Sequence, residues 1–147
     1  MSMSPLTRKL LFALGCIPSR VVVATLPLYM PDVFNAYKST SRTSSASLSS
    51  SLRIHEDKQW FVHLYTAILF IISFAFFYLW YANMRLDAPE GGGTTWWKSI
   101  RPIHSLLYLI AGLLSMAKMF GELAAVLLID VAVGVVAWLH NIWNELA

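Results

Sequence analysis

Residues 60–82, WFVHLYTAILFIISFAFFYLWYA, are about twenty-three positions of almost unbroken apolar character. A helix needs about 20 such residues to cross the hydrocarbon of a bilayer, so this stretch predicts a membrane span. Two further apolar stretches follow, Ile103 to Ala117 and Leu123 to Trp143. The chain therefore reads as an all-α integral membrane protein with three transmembrane helices over 60–82, 103–117 and 123–143. Composition agrees. Apolar residues make up 57% of the 147 positions and charged ones only 13%, where soluble domains keep about a quarter of their residues charged.

Length allows one domain, the membrane part over 59–143, with a short tail at 144–147. The lone Cys16 excludes an internal disulfide framework. Lys38 to Arg53, KSTSRTSSASLSSSLR, offers no apolar face, and residues 38–58 read as a solvated linker. Residues 1–37 are ambiguous. Arg8 and Lys9 before the run Leu10 to Ile17 suit a secretory signal, but Pro18 and Arg20 spoil the cleavage region. The absence of acids before Asp32 suits a mitochondrial presequence, yet basic residues are few. A segment lying in the membrane interface is preferred, because Pro18, Arg20 and Pro27 break the apolar runs too often for a span. Gly91-Gly92-Gly93 has no phosphate-loop context and reads as a hinge.

Arg42, Arg53 and Lys58 lie within reach of the first span, which by the positive-inside rule places the N-terminus in the cytoplasm and, after three crossings, the C-terminus opposite. Trp80, Trp96, Trp97, Trp138 and Trp143 then share one face and Trp60 marks the other, as interfacial anchors do.

Asp130 stands inside the third apolar stretch, where an acid costs about 2.5 to 3.5 kcal/mol on insertion scales and needs a partner. Asp130, Gly134, Ala137 and Asn141 share a helix face at i, i+4, i+7 and i+11, and Ser105, Tyr108, Gly112 and Ser115 form a similar stripe on the second span. Small and polar stripes let backbones approach and bond across the gap. The short joint Lys118 to Glu122, with Gly121 suited to ending a helix, predicts that the last two spans form an antiparallel hairpin in which the stripes meet. Asp130 and Tyr108 would each lie about 10 to 14 Å from the turn, so Tyr108 is expected to donate a hydrogen bond to Asp130. These residues are candidates for packing or for a proton or cation relay. His63, His104 and His140 lack a companion carboxylate or thiolate at ligand spacing, so no metal is expected; His104 and His140 read as interfacial. Thr66 and Ser73 give the first span a weakly polar side. No nucleophile elbow, zinc-protease helix or phosphate loop occurs, so no enzyme and no cofactor are expected, and the dispersed Lys and Arg leave no nucleic-acid footprint.

Trp97, Arg101-Pro102, His104, Leu107-Tyr108 and Asp130, set in Trp96–Leu113 and Val126–Asn141, give the chain a pattern that resembles small uncharacterised membrane proteins of large nucleocytoplasmic DNA viruses, over about a third of its length. The resemblance implies a virion or host membrane and no reaction. Together these readings favour a structural or assembly protein that anchors a larger complex, its partners the lipid bilayer and other membrane or capsid-type proteins. The alternatives are a small homo-oligomeric ion or proton channel using Asp130 and an accessory subunit of an organellar membrane complex.

Overall fold

The computed structural model describes the backbone of residues 5–40, 48–88 and 93–146, with side chains chiefly over 13–29, 60–86 and 95–144. It is helical: α1 (Pro5–Thr40), α2 (Leu48–Tyr81), a 3-10 turn (Trp96–Ile100) running into α3 (Arg101–Met116), and α4 (Phe120–Leu146). Among the described residues three segments are long and apolar enough to cross a membrane, Trp60–Tyr81, Trp96–Met116 and Phe120–Asn144, close to the three stretches the sequence picks out. Burial is inverted relative to a water-soluble bundle. Ile71, Phe74, Leu106, Leu113, Ile129 and Leu139 point outward, while Thr66, Ser73, Arg101, His104, Ser115 and Asp130 are buried. A hydrocarbon solvent favours that distribution.

Two expectations change at the N-terminal side. Residues 38–58 do not form a linker throughout: residues 38–40 end α1, residues 48–58 begin α2, and 41–47 lie outside the described residues. From Leu48 to Tyr81 there is neither Pro nor Gly, and extending a helix from an already formed span costs far less than nucleating one. The segment read as interfacial is one continuous helix of 36 residues packed against α4. Its Ala24 is fully buried in the core with Leu69, Ala111, Leu123 and Leu127.

Proline fails to break α1 because neighbours replace what it removes. Pro27 has no N–H for the Val23 carbonyl one turn back, and the Tyr65 hydroxyl of α2 donates to that carbonyl at 2.9 Å. Ser19 and Thr25 add hydroxyl bonds to the Cys16 carbonyl and to those of Val21 and Val22. With Val23 beside Tyr65, and Cys16 and Arg20 at a cavity shared with Trp96 and Trp138, α1 runs antiparallel to α2.

α3 shares its larger surface with α2. Thr66 meets Ser115 at 2.7 Å. Ser73 donates to the Ser105 carbonyl at 2.8 Å, and Ser105 returns a bond to the Ser73 carbonyl at 2.9 Å. Between these pairs Phe70 lies over Gly112, so closely that a β-carbon there would fall 2.8 Å from the ring. The stripe Ser105, Gly112 and Ser115 thus faces α2, not the α4 stripe expected to meet it. The reason is complementarity: α2 offers two hydroxyls at the matching heights, and α4 places Leu123, Ala124 and Leu127 at the depth of Ser115 and Gly112.

Both α2 and α3 end in the same way. The Met84 and Asn83 amides return to the Leu79 and Trp80 carbonyls, and those of Met119 and Lys118 to Leu114 and Ser115. Asn83 and Lys118 take the left-handed conformation this closure requires, at φ 51° and 59°. The turn after α3 is therefore made at Lys118, and Gly121 lies within α4. The loop after α2 carries a two-residue antiparallel bridge pairing Asp87 with Thr94 and Ala88 with Gly93; Gly91 and Gly92 of the expected hinge lie outside the described residues.

Candidate functional site: a buried carboxylate and the cavity beside it

Asp130 is 1% exposed, and each of its oxygens has its own donor. Oδ2 receives Arg20 Nη1 from α1 at 3.1 Å, and Oδ1 receives His104 Nδ1 from α3. That assignment makes Nδ1 the protonated nitrogen of the imidazole. Tyr108 lies on the same carboxylate, close enough for its hydroxyl to interact. From α2, the Phe76 ring closes the group: Arg20 sits 5.7 Å from its centroid, and the His104 and Tyr108 rings lie at 5.5 and 6.1 Å. Four helices thus converge on one acidic side chain.

Room for the guanidinium comes from Gly134, one turn beyond Asp130. A β-carbon there would come within 3.4 Å of Arg20 Nη1 and 3.8 Å of the His104 ring. Ala137 and Asn141 continue that face half-buried, and the Asn141 amide nitrogen is buried without a partner among the described residues.

A second buried cation, Arg101, is 2% exposed and fastens the end of α2 to the start of α3. Its Nη1 donates to the carbonyls of Leu79 and Met84 at 3.1 and 2.7 Å, and its Nη2 to that of Arg85 at 3.0 Å. A planar fork suits this arrangement, and the positive charge complements the negative end of α2.

Beside the carboxylate lies a cavity of about 210 Å³, bounded among others by Arg20, Phe76, Trp96, Trp97, His104 and Trp138. The tryptophans divide accordingly. Trp60, Trp80 and Trp143 are exposed as anchors would be, whereas Trp96, Trp97 and Trp138 are half-buried cavity walls. Of the histidines read as interfacial, His104 is buried on Asp130, and His140 is exposed and bonded to Asn144 at 3.1 Å; His63 is exposed. Among the described residues no three His, Cys, Asp or Glu side chains cluster as a metal site would require.

Arg20 and Arg101 are the buried cations that the sequence does not mark as such: Arg20 reads as a break in the N-terminal apolar run, and Arg101 only as part of the Arg101-Pro102 pair in the resembling pattern. One signal was present: Arg20 and Asp130 are opposite charges, each stranded in an apolar run, and such groups find one another. No protein-family model, curated protein or solved structure matches this chain.

Proposed function

We propose that this chain is a structural or assembly protein of a membrane, a compact helical anchor whose outer faces meet lipid and larger partners. The observation that carries this reading is the closure of Asp130. Its carboxylate is held by Arg20 and His104, and toward the Ala117–Met119 turn it is followed by the buried apolar residues Leu127, Leu123, Leu69 and Ala111. A relay needs polar groups in sequence across the bilayer; a carboxylate engaged on both oxygens and backed by hydrocarbon serves packing. On this reading α3 and α4 form an antiparallel hairpin, and α1 is locked to it by an ion pair. α1 then becomes a fourth crossing segment, which brings both ends of the chain to one side of the membrane. The resemblance to small membrane proteins of large DNA viruses makes a virion or host membrane the setting in which to look for partners.

The test is extraction from the native membrane in mild detergent, followed by mass measurement of the particle and proton-flux assays in vesicles. Recovery at fixed stoichiometry with larger proteins, with no flux from the wild type or Asp130→Asn, is expected. A homo-oligomer that conducts protons and stops conducting as Asp130→Asn would overturn the reading in favour of a channel.

A further inference from the structure

Two polar side chains on the cavity beside Asp130 keep part of their hydrogen-bonding capacity open. His104 donates to Asp130 through Nδ1, which leaves Nε2 as the unprotonated nitrogen of a neutral imidazole and therefore an acceptor. Arg20 reaches Asp130 and His104 through Nη1 alone, and a guanidinium carries five N–H groups. Among the described residues neither His104 Nε2 nor Arg20 Nε and Nη2 has a partner, and the side-chain nitrogens that are both partnerless and sealed off are those of Trp96, Trp138 and Asn141. The open nitrogens of His104 and Arg20 thus keep accessible surface, and both residues line the cavity. The rest of its wall offers little to a polar ligand. Cys16 adds only a weak thiol, the sealed indole nitrogens of Trp96 and Trp138 leave those rings to present carbon, and Ile17, Phe76, Ile100 and Val131 are apolar.

Water suits one corner of this space and not the remainder. A volume of about 210 Å³ has room for several waters, and each needs about two to four polar partners. One acceptor beside one donor is instead the complement of a hydroxyl, which gives its O–H and accepts in return. Beyond that point the wall suits an apolar body among aromatic rings. A dry cavity of about 150 Å³ accommodates benzene, so about 210 Å³ takes one substituted ring and not the fused nucleus of a sterol. Its level fits as well: the cavity lies where the span Trp96–Met116 begins, and rings with a polar tip favour that depth of a bilayer. We propose that the cavity is a binding site for a phenolic ring, whose hydroxyl donates to His104 Nε2 and accepts from Arg20 while the ring fills the apolar remainder. This holds whether or not the chain serves as an anchor for other proteins. The shared chemistry has two sources, a small phenol arriving from water and the head of a tailed hydroquinone dissolved in the bilayer.

The experiment reads the imidazole nitrogens of nitrogen-15-labelled protein in dodecyl maltoside, with His55→Gln, His63→Gln and His140→Gln leaving His104 as the one remaining histidine of the four. Titration with para-propylphenol is expected to move the Nε2 resonance upfield and saturably. Para-propylanisole, which keeps the ring and the oxygen but has no O–H, should bind about tenfold more weakly and leave Nε2 where it was. In phosphatidylcholine nanodiscs, a tailed hydroquinone that gives the same shift and displaces the phenol identifies the bilayer as the source; a shift with the phenol alone identifies the water-borne one. Val131→Phe from α4 and Cys16→Phe from α1 each narrow the cavity and should abolish the shift with unchanged circular dichroism; for a variant that loses helix, the comparison of phenol with ether decides. Equal affinity for the two, binding that leaves Nε2 in place, a shift that survives both fillings, or no saturable shift in either medium, as when the cavity holds only water, would overturn the site.

Discussion

At the scale of single residues the molecule is organised by what its buried polar groups find. Asp130 with Arg20 exchanges two stranded charges for one ion pair, and removing one partner of a buried pair costs about 3 to 5 kcal/mol because the other is left uncompensated. Arg20 keeps 24% of its side-chain exposure, so Asp130→Leu should cost nearer the lower figure, and Arg20→Met/Asp130→Leu should recover most of it. Reversible unfolding in mixed detergent micelles measures both, and additive losses would contradict the pairing. The Tyr65 hydroxyl occupies the carbonyl that Pro27 leaves open. Tyr65→Phe should therefore cost about 1 kcal/mol in the wild type and almost nothing in Pro27→Ala, where a backbone N–H takes the same acceptor; equal losses in both backgrounds would show that the bond does not matter.

Helix ends and helix contacts belong to the next scale. Lys118 holds a left-handed conformation that suits glycine, and a side chain there costs about 1 kcal/mol. Lys118→Gly is accordingly expected to raise the unfolding midpoint; a drop would mean that the lysine side chain contributes more than its backbone costs. At the contact of α2 with α3, Gly112→Ala would drive a methyl into Phe70 at about 1 to 3 kcal/mol, and Phe70→Leu in the same chain should relieve it. If Phe70→Leu instead adds its own loss, the steric account fails. The three long apolar helices were legible because hydropathy over about 20 residues depends little on context. The stripe on α3 was legible too, but its partner was not. Spacing shows that Ser105, Gly112 and Ser115 share a face; which helix supplies hydroxyls at matching heights depends on register between segments far apart in sequence. α1 was hidden for a related reason. Pro18 and Pro27 read as breaks when the chain is considered alone, and Tyr65, the residue that mends one of them, lies on another helix.

Over the whole molecule, the course of α1 decides topology. On the proposal that α1 crosses antiparallel to α2, tags at the two ends should be modified from the same side of sealed vesicles; labelling from opposite sides would return α1 to the membrane surface. The ion pair between Arg20 and Asp130 spans 110 positions of sequence. At about 5 to 20 residues per second of synthesis, the arginine leaves the ribosome many seconds before the aspartate that neutralises it exists. During that interval α1 carries an unpaired cation and no α4 to pack against, conditions that favour the water-lipid boundary over the interior. Docking of the first helix is thus a late event in biogenesis, triggered by arrival of the last. A nascent chain halted at Met119 should leave Cys16 open to a membrane-impermeant maleimide and release to full reactivity what the finished protein shields; a Cys16 equally protected in both would mean that α1 settles without its counter-charge.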